Sequence, residues 1–282
     1  LLFNPLMLRI GQIEYANCTP IFQILRKLFP CSEYEFVKGV PTELNRLLKL
    51  GEIDVCPSSS IEYAIHNEQY RILPRLSISS DGAVASVLLF SEIPIDELDG
   101  KTILLSSESA TSVNLLKILM AQRYNCCCRY MTTSLPFPNA LADSPALLLI
   151  GDTALRASFS GSRPHVYDLG TLWRGWTGLP FVFALWLCRS DIADSPEIKL
   201  LADRLIQTRM LLPEYYSEIA KEAPEAAWMG QDRLLAYWRD NIQYDLEEDK
   251  TSGLLTYFKK CHELGLIAQA PELRFVDMTL QV

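Results

Sequence analysis

Short apolar runs alternate with amphipathic segments along the first half of the chain, the rhythm of an α/β fold. Met7–Gly11 predicts a strand. Thr19 is placed to cap a helix that has Pro20 at its first position and Ile21, Ile24, Leu25 and Leu28 on one face. Tyr34–Lys38 predicts a second strand. Pro41–Leu50 predicts a helix with Leu44, Leu47 and Leu48 inward and Gly51 as its C-terminal cap. Ile53–Cys56 reads as a buried strand and Ser58–His66 as a short helix. Ser77–Ser80 and Val84–Phe90 read as strands on either side of an Asp81–Gly82 turn.

Pro94–Gly100 is polar and turn-rich, and marks a boundary. Beyond it a second α/β set follows: strand Lys101–Ser106, helix Ala110–Arg123, strands Cys126–Thr132 and Ala146–Ile150, and helix Asp152–Ala157. Leu179–Cys188 is a long apolar strand placed to return to the first set. From Ser195 onward the pattern is helical, over Glu197–Leu212, Glu214–Lys221, Asp232–Asn241 and Ser252–Leu264, with Asp245–Asp249 as a solvated acidic loop. Two such sets imply a bilobed α/β architecture, with residues 1–92 and 186–282 in the larger lobe and 93–185 in the smaller. Ligands of such folds sit in the cleft, at the carboxyl ends of strands.

Composition narrows the class. Of 282 residues 49% are hydrophobic and 21% charged, a globular balance too apolar for disorder and too interrupted for a membrane bundle. A net charge of −8 gives no basic footprint for nucleic acid. It leaves small anions open, because charges beyond roughly 8 Å are screened at physiological salt. The eight cysteines form no CxxC pair and no zinc-type spacing with the three histidines, so no metal site is expected. Three of them, Cys126, Cys127 and Cys128, are consecutive, which fits a reducing compartment, and a cytoplasmic protein is expected. Leu1–Ile10 does not read as a signal peptide, and Leu179–Cys188 is far short of the roughly 20 residues that span a bilayer. No membrane partner is expected, and the pattern sets no oligomeric state.

Four strand-end loops carry small polar groups: Tyr15–Pro20 with Asn17, Pro57–Ser60 with Ser59 and Ser60, Ser79–Ser86 with Ser80 and Ser86, and Ser109–Ser112 with Thr111 and Ser112. Helix N-termini present free N–H groups and about half a positive charge, so hydroxyl-lined ones suit a carboxylate. None is a phosphate loop or a dinucleotide fingerprint. Each hydroxyl taken singly is more simply explained as a cap, and spacing alone supports a small-anion ligand and nothing finer. Asp152 is either a cleft carboxylate, and then a candidate catalytic base, or the cap of its helix. Cys18 is a candidate nucleophile at a helix N-terminus. His66, His165 and His262 fall in no triad order, and none is expected to be catalytic.

Several blocks together are more specific than any loop alone. Val37–Asn45, Gly51–Val55, Ser59–Ala64, Ser77–Gly82, Ser86–Ser91, Leu98–Thr102, Ser109–Val113, Leu149–Asp152 and Trp176–Trp186 resemble, in order, the chorismate dehydratase family of the futalosine route to menaquinone. The resemblance runs from about Gly11 to Trp186; the helical C-terminal third matches mainly in character.

That resemblance implies a fold similar to type II periplasmic binding proteins, used by an enzyme that needs neither metal nor organic cofactor. It implies dehydration of chorismate to 3-[(1-carboxyvinyl)oxy]benzoate. It implies catalytic roles for Asn17 and Ser86, an anion-holding set of Ser59, Ser60, Thr111 and Ser112, and a facing wall of Gly151 and Asp152. The competing readings are a 1,4-dihydroxy-6-naphthoate synthase-like lyase and a non-catalytic solute-binding protein for a small carboxylate. The naphthoate synthases are expected to carry a histidine on the strand that ends here at Leu149–Asp152, where this chain has none.

Overall fold

The computed structural model describes residues 7–106, 109–133, 144–161 and 164–279. Its strands are β1 (Leu8–Ile13), β2 (Tyr34–Gly39), β3 (Val55–Ser59), β4 (Tyr70–Ser80), β5 (Val87–Ser91), β6 (Thr102–Ser106), β7 (Arg129–Thr133), β8 (Ala146–Ile150), β9 (His165–Asp168) and β10 (Phe181–Arg189). They form two five-stranded sheets, ordered β2-β1-β3-β10-β4 and β7-β6-β8-β5-β9. Within the first, β1 lies parallel to β2 and β3, and β10 runs antiparallel between β3 and β4. The second repeats this plan, with β6 parallel to β7 and β8, and β5 antiparallel between β8 and β9.

Each sheet therefore takes one antiparallel strand from the chain after it has left the other sheet. The chain changes sheet between Ser80 and Val87 and again between Asp168 and Phe181, and Phe181 pairs with Ser80, so the crossovers run side by side. These points lie earlier than the expected boundaries at 92/93 and 185/186. The Asp81–Gly82 turn does not close a hairpin: β4 and β5 stand in different sheets, and the turn carries the chain across. A Cβ at Gly170 would overlap the Gly82 carbonyl, so the crossovers touch backbone to backbone.

The early helices follow the apolar spacing: α1 (Thr19–Leu28), α2 (Pro41–Lys49) and α3 (Ser60–His66). Cys18, not Thr19, is the N-cap of α1, and Thr19 instead donates to Glu225 Oε1 at 2.6 Å. In the second half, α4 (Ala110–Ile118) continues through a π-helical turn to Arg123, followed by α5 (Gly151–Phe159) and α6 (Leu169–Thr177). α7 (Pro196–Glu222) runs unbroken through Pro213, where two helices were expected; buried Leu212, Tyr216 and Ile219 hold its two halves on one face. The chain ends with α8 (Ala226–Met229), α9 (Gln231–Ala236), a π-helical turn Tyr237–Asn241 and α10 (Glu248–Glu263).

Two further departures have physical causes. β4 begins at Tyr70, and its pairing with β10 skips between Ile72 and Ser77, so Pro74 and Arg75 sit in a bulge with Arg75 at φ +62°. The acidic run is not merely solvated: Asp245 and Asp249 pair with the buried Lys250 ammonium at 2.9 and 3.3 Å. The main core spans both sheets and the C-terminal helices, and Leu88, Phe90, Leu104, Leu147 and Leu149 make a smaller cluster, as strand alternation requires. Among the described residues no helix is long and apolar enough to cross a membrane.

Candidate active site

The carboxyl ends of β1, β3 and β8, the first crossover and the start of α4 converge on a cavity with about 550 Å³ of unfilled space open to solvent. Its polar wall comprises Tyr15, Asn17, Cys18, Ser59, Ser86, Ser109 and Ser112, and its apolar wall includes Ile13, Ile78, Val84 and Phe183. Among the described residues, no Asp, Glu, Lys or Arg lines it. An anion held here is held by hydroxyls, amides and backbone N–H groups, away from the negative outer surface.

The structure divides the expected residues into two groups. Asn17, Ser59, Ser86, Ser112 and Gly151 line the cavity. Ser60, Ser80, Thr111 and Asp152 do not. Ser60 and Thr111 are fully buried and their hydroxyls meet at 3.3 Å, while Thr111 Oγ1 also accepts from Ile61 N at 3.1 Å. They tie the start of α3 to the start of α4. Ser80 Oγ donates to the Gly82 carbonyl at 3.0 Å within the crossover. Asp152 lines a neighbouring charged groove with Arg26, Lys38, Arg156 and Glu225, and its Oδ1 accepts from Ala16 N at 2.9 Å.

Among those that face the cavity, Asn17 and Ser86 differ from the rest. Asn17 Oδ1 is buried and has no hydrogen-bond partner among the described residues. Leaving a buried carbonyl unpaired costs about 1–3 kcal/mol, so this oxygen is held ready for a donor. Ser86 Oγ accepts from Tyr237 Oη at 2.9 Å and reaches the Val84 carbonyl only at 3.3 Å. Ala85, just before it, sits at φ +59°, and the half-buried Asp168 carboxylate holds that conformation by accepting from Val84 N at 3.1 Å and Ala85 N at 2.6 Å. Burial pushes the Asp168 carboxyl above its usual range, against the four backbone N–H groups that favour the charged form.

Gly151 is a glycine by necessity. Its φ is +58°, and a Cβ there would come within 2.9 Å of the Tyr15 ring. Its N–H donates to the Ser86 carbonyl at 2.8 Å, continuing the β5–β8 ladder into the cavity wall. Cys18 faces the cavity, but burial pushes its thiol well up, with Cys56, Asp152 and Glu225 adding to the effect. Burial thus favours the protonated thiol, the weaker nucleophile. None of the three histidines lines the cavity. No group of three His, Cys, Asp or Glu able to hold a metal ion occurs among the described residues.

Sequence reasoning missed the supports behind the wall. Trp238 Nε1 donates to the Ala16 carbonyl at 2.7 Å, Tyr244 Oη to the Asn17 carbonyl at 2.8 Å, and Asn241 Nδ2 to the Ala83 carbonyl at 3.0 Å. With Tyr237, one C-terminal segment holds the loops of both Asn17 and Ser86. The only signal in the sequence was its run of aromatic residues, which equally describes a helix core.

Comparison with known proteins follows the same lines. Residues 8–263 match the family described as menaquinone biosynthesis. A chorismate dehydratase of Thermus thermophilus is 33% identical over 264 residues, covering 88% of this chain and 93% of that protein. One of Campylobacter jejuni is 26% identical over 261 residues, covering 91% and 98%. Among solved structures, a structural-genomics protein of Archaeoglobus fulgidus superposes with a TM-score of 0.74 at 20% identity, covering 92% of this chain and 98% of that one. The periplasmic aliphatic sulphonate binding protein of Escherichia coli gives 0.67 at 15% identity, covering 99% and 96%. The fold is thus the bilobed α/β fold of periplasmic binding proteins.

Proposed function

Because the chain belongs to the menaquinone-biosynthesis family, alongside the chorismate dehydratases, we propose that it is a lyase that dehydrates chorismate to 3-[(1-carboxyvinyl)oxy]benzoate. The relative sharing 33% identity along most of both chains is the observation that carries this reading. The hydroxyl-lined cavity, with no charged side chain among the described residues, supports it, being suited to a small dicarboxylate. Eight free cysteines fit a reducing, cytoplasmic setting.

The reaction removes the ring hydroxyl and the proton on the neighbouring ring carbon. The C–H electron pair becomes part of the aromatic ring, the C–O bond breaks, and hydroxide with the released proton makes water. Aromatisation drives it, so the protein needs to position the substrate and stabilise charge as it forms. Among the described residues the cavity wall offers no carboxylate or imidazole base. The proton goes instead to the substrate's own enolpyruvyl carboxylate, held against the ring; good intramolecular geometry contributes up to about 7–11 kcal/mol. Asn17 Oδ1 faces that chemistry as an acceptor for the ring hydroxyl and Ser86 Oγ as a donor to charge as it forms, and one such donor is worth about 2.7–4 kcal/mol. Ser59 and Ser112 hold the substrate's carboxylate side. Asp152, whose carboxylate is engaged by Ala16 N, acts as a latch between the β1–α1 loop and α5.

Incubation with a large excess of chorismate tests the reading. A product lighter by one water, formed over many turnovers, is expected. Recovery of unchanged chorismate from a protein that it stabilises against heat would identify a binder instead.

A further inference from the structure

One polar contact behind the cavity joins two side chains that are both almost wholly enclosed. Tyr237 is 2% exposed and Ser86 2% exposed, and the phenol oxygen stands 2.9 Å from the serine oxygen. The direction of the bond follows from chemistry. A buried phenol keeps its proton, and burial pushes the Tyr237 hydroxyl far above its ordinary range, with Asp152, Cys18 and Asp168 nearby adding to the shift. With the Ser86 proton directed at the Val84 carbonyl, the phenol is the donor and Ser86 Oγ the acceptor.

We propose that Tyr237 is a positioning residue that fixes the Ser86 hydroxyl as a hydrogen-bond donor to the reacting substrate. With one lone pair of Ser86 Oγ occupied by the phenol proton, the serine proton has two directions left: the Val84 carbonyl, at a long 3.3 Å, and the cavity. Substrate then competes only with a weak internal bond. Accepting from a phenol also polarises the serine O–H and strengthens it as a donor. The backbone completes the arrangement: Ala85 at φ +59° and the Ser86 carbonyl bonded to Gly151 N leave the side chain little other freedom. The π-helical turn Tyr237–Asn241 explains how the phenol gets there, because its wider winding re-aims adjacent side chains, sending Tyr237 to Ser86 and Trp238 to Ala16.

This inference rests on Ser86 acting on chorismate as read above. Its test is a double-variant cycle on full-length protein: wild type, Tyr237→Phe, Ser86→Ala and the pair, each measured for kcat and KM with chorismate. Tyr237→Phe keeps the ring that fills the core, and far-ultraviolet circular dichroism confirms the fold. A roughly tenfold lower kcat with KM within about twofold is expected for Tyr237→Phe. In the Ser86→Ala background the same change should have no further effect, because a residue acting through Ser86 is silent without it. A merely structural role predicts the same fold-loss in both backgrounds, and that result overturns the proposal. So does a Tyr237→Phe protein with wild-type kcat beside an impaired Ser86→Ala. Ser86→Ala with full turnover would instead overturn the reading of Ser86 itself, and this proposal with it.

Discussion

Two sets of small polar residues meet at the cleft, and they spend their hydrogen bonds differently. Asn17 and Ser86 face the cavity with bonding capacity to spare: an unpartnered Asn17 Oδ1, and a Ser86 hydroxyl whose own proton reaches only a distant carbonyl. Ser60 and Thr111 carry the same kinds of group at the same kinds of strand-to-helix junction, yet they are buried against each other and bond α3 to α4. The first set is held in place by a C-terminal segment, through Tyr237, Trp238 and Tyr244, with its polar atoms left open; the second spends its hydroxyls on each other and on Ile61 N. What separates a substrate-binding group from a structural cap is thus the use of its lone pairs, which its position in the chain does not reveal.

Substitutions on the two sides break or sharpen that contrast. The largest effect is expected for Asn17→Leu, which keeps the side-chain size and removes both polar atoms: kcat should fall about 10²–10³-fold while the protein stays folded. Gly151→Ala comes next, because the new methyl meets the Tyr15 ring at a backbone angle that disfavours any side chain. A loss of about 1–3 kcal/mol in denaturant unfolding, together with impaired turnover, is expected there. Asp152→Asn keeps an oxygen for Ala16 N and should cost turnover about tenfold or less, whereas loss of a general base costs about 10²–10⁴-fold. Thr111→Val leaves Ile61 N without its acceptor and should cost about 1–3 kcal/mol of stability, with kcat within about threefold of wild type. Smallest of all is the response to iodoacetamide near pH 8. Mass mapping should find the exposed Cys127 alkylated and the buried Cys18, its thiol pushed up by burial, unmodified, with activity retained.

Much of this was legible in the sequence. Apolar spacing gave α1, α2 and the buried strands, because period and capping are local properties. The crossover was not legible, since Asp81–Gly82 has the same composition whether it closes a hairpin or carries the chain into another sheet. The bulge at Pro74–Arg75 hid half of β4 by breaking the alternation. At the site, the loops were identified from small polar residues at strand ends, but Ser60, Ser80 and Thr111 satisfy each other or the backbone through contacts only the fold supplies. The supports from Tyr237 to Tyr244 lie more than 150 residues from Ser86's loop or beyond, a range no local pattern covers.

The central claim is that turnover depends on the polar groups left open and not on those that close on each other. The most direct measurement is kcat at saturating chorismate for Asn17→Leu and Thr111→Val, prepared and assayed side by side. A loss at least about thirtyfold greater for Asn17→Leu is predicted from the value of a single transition-state donor. Equal losses, or a greater loss for Thr111→Val in folded protein, would contradict it.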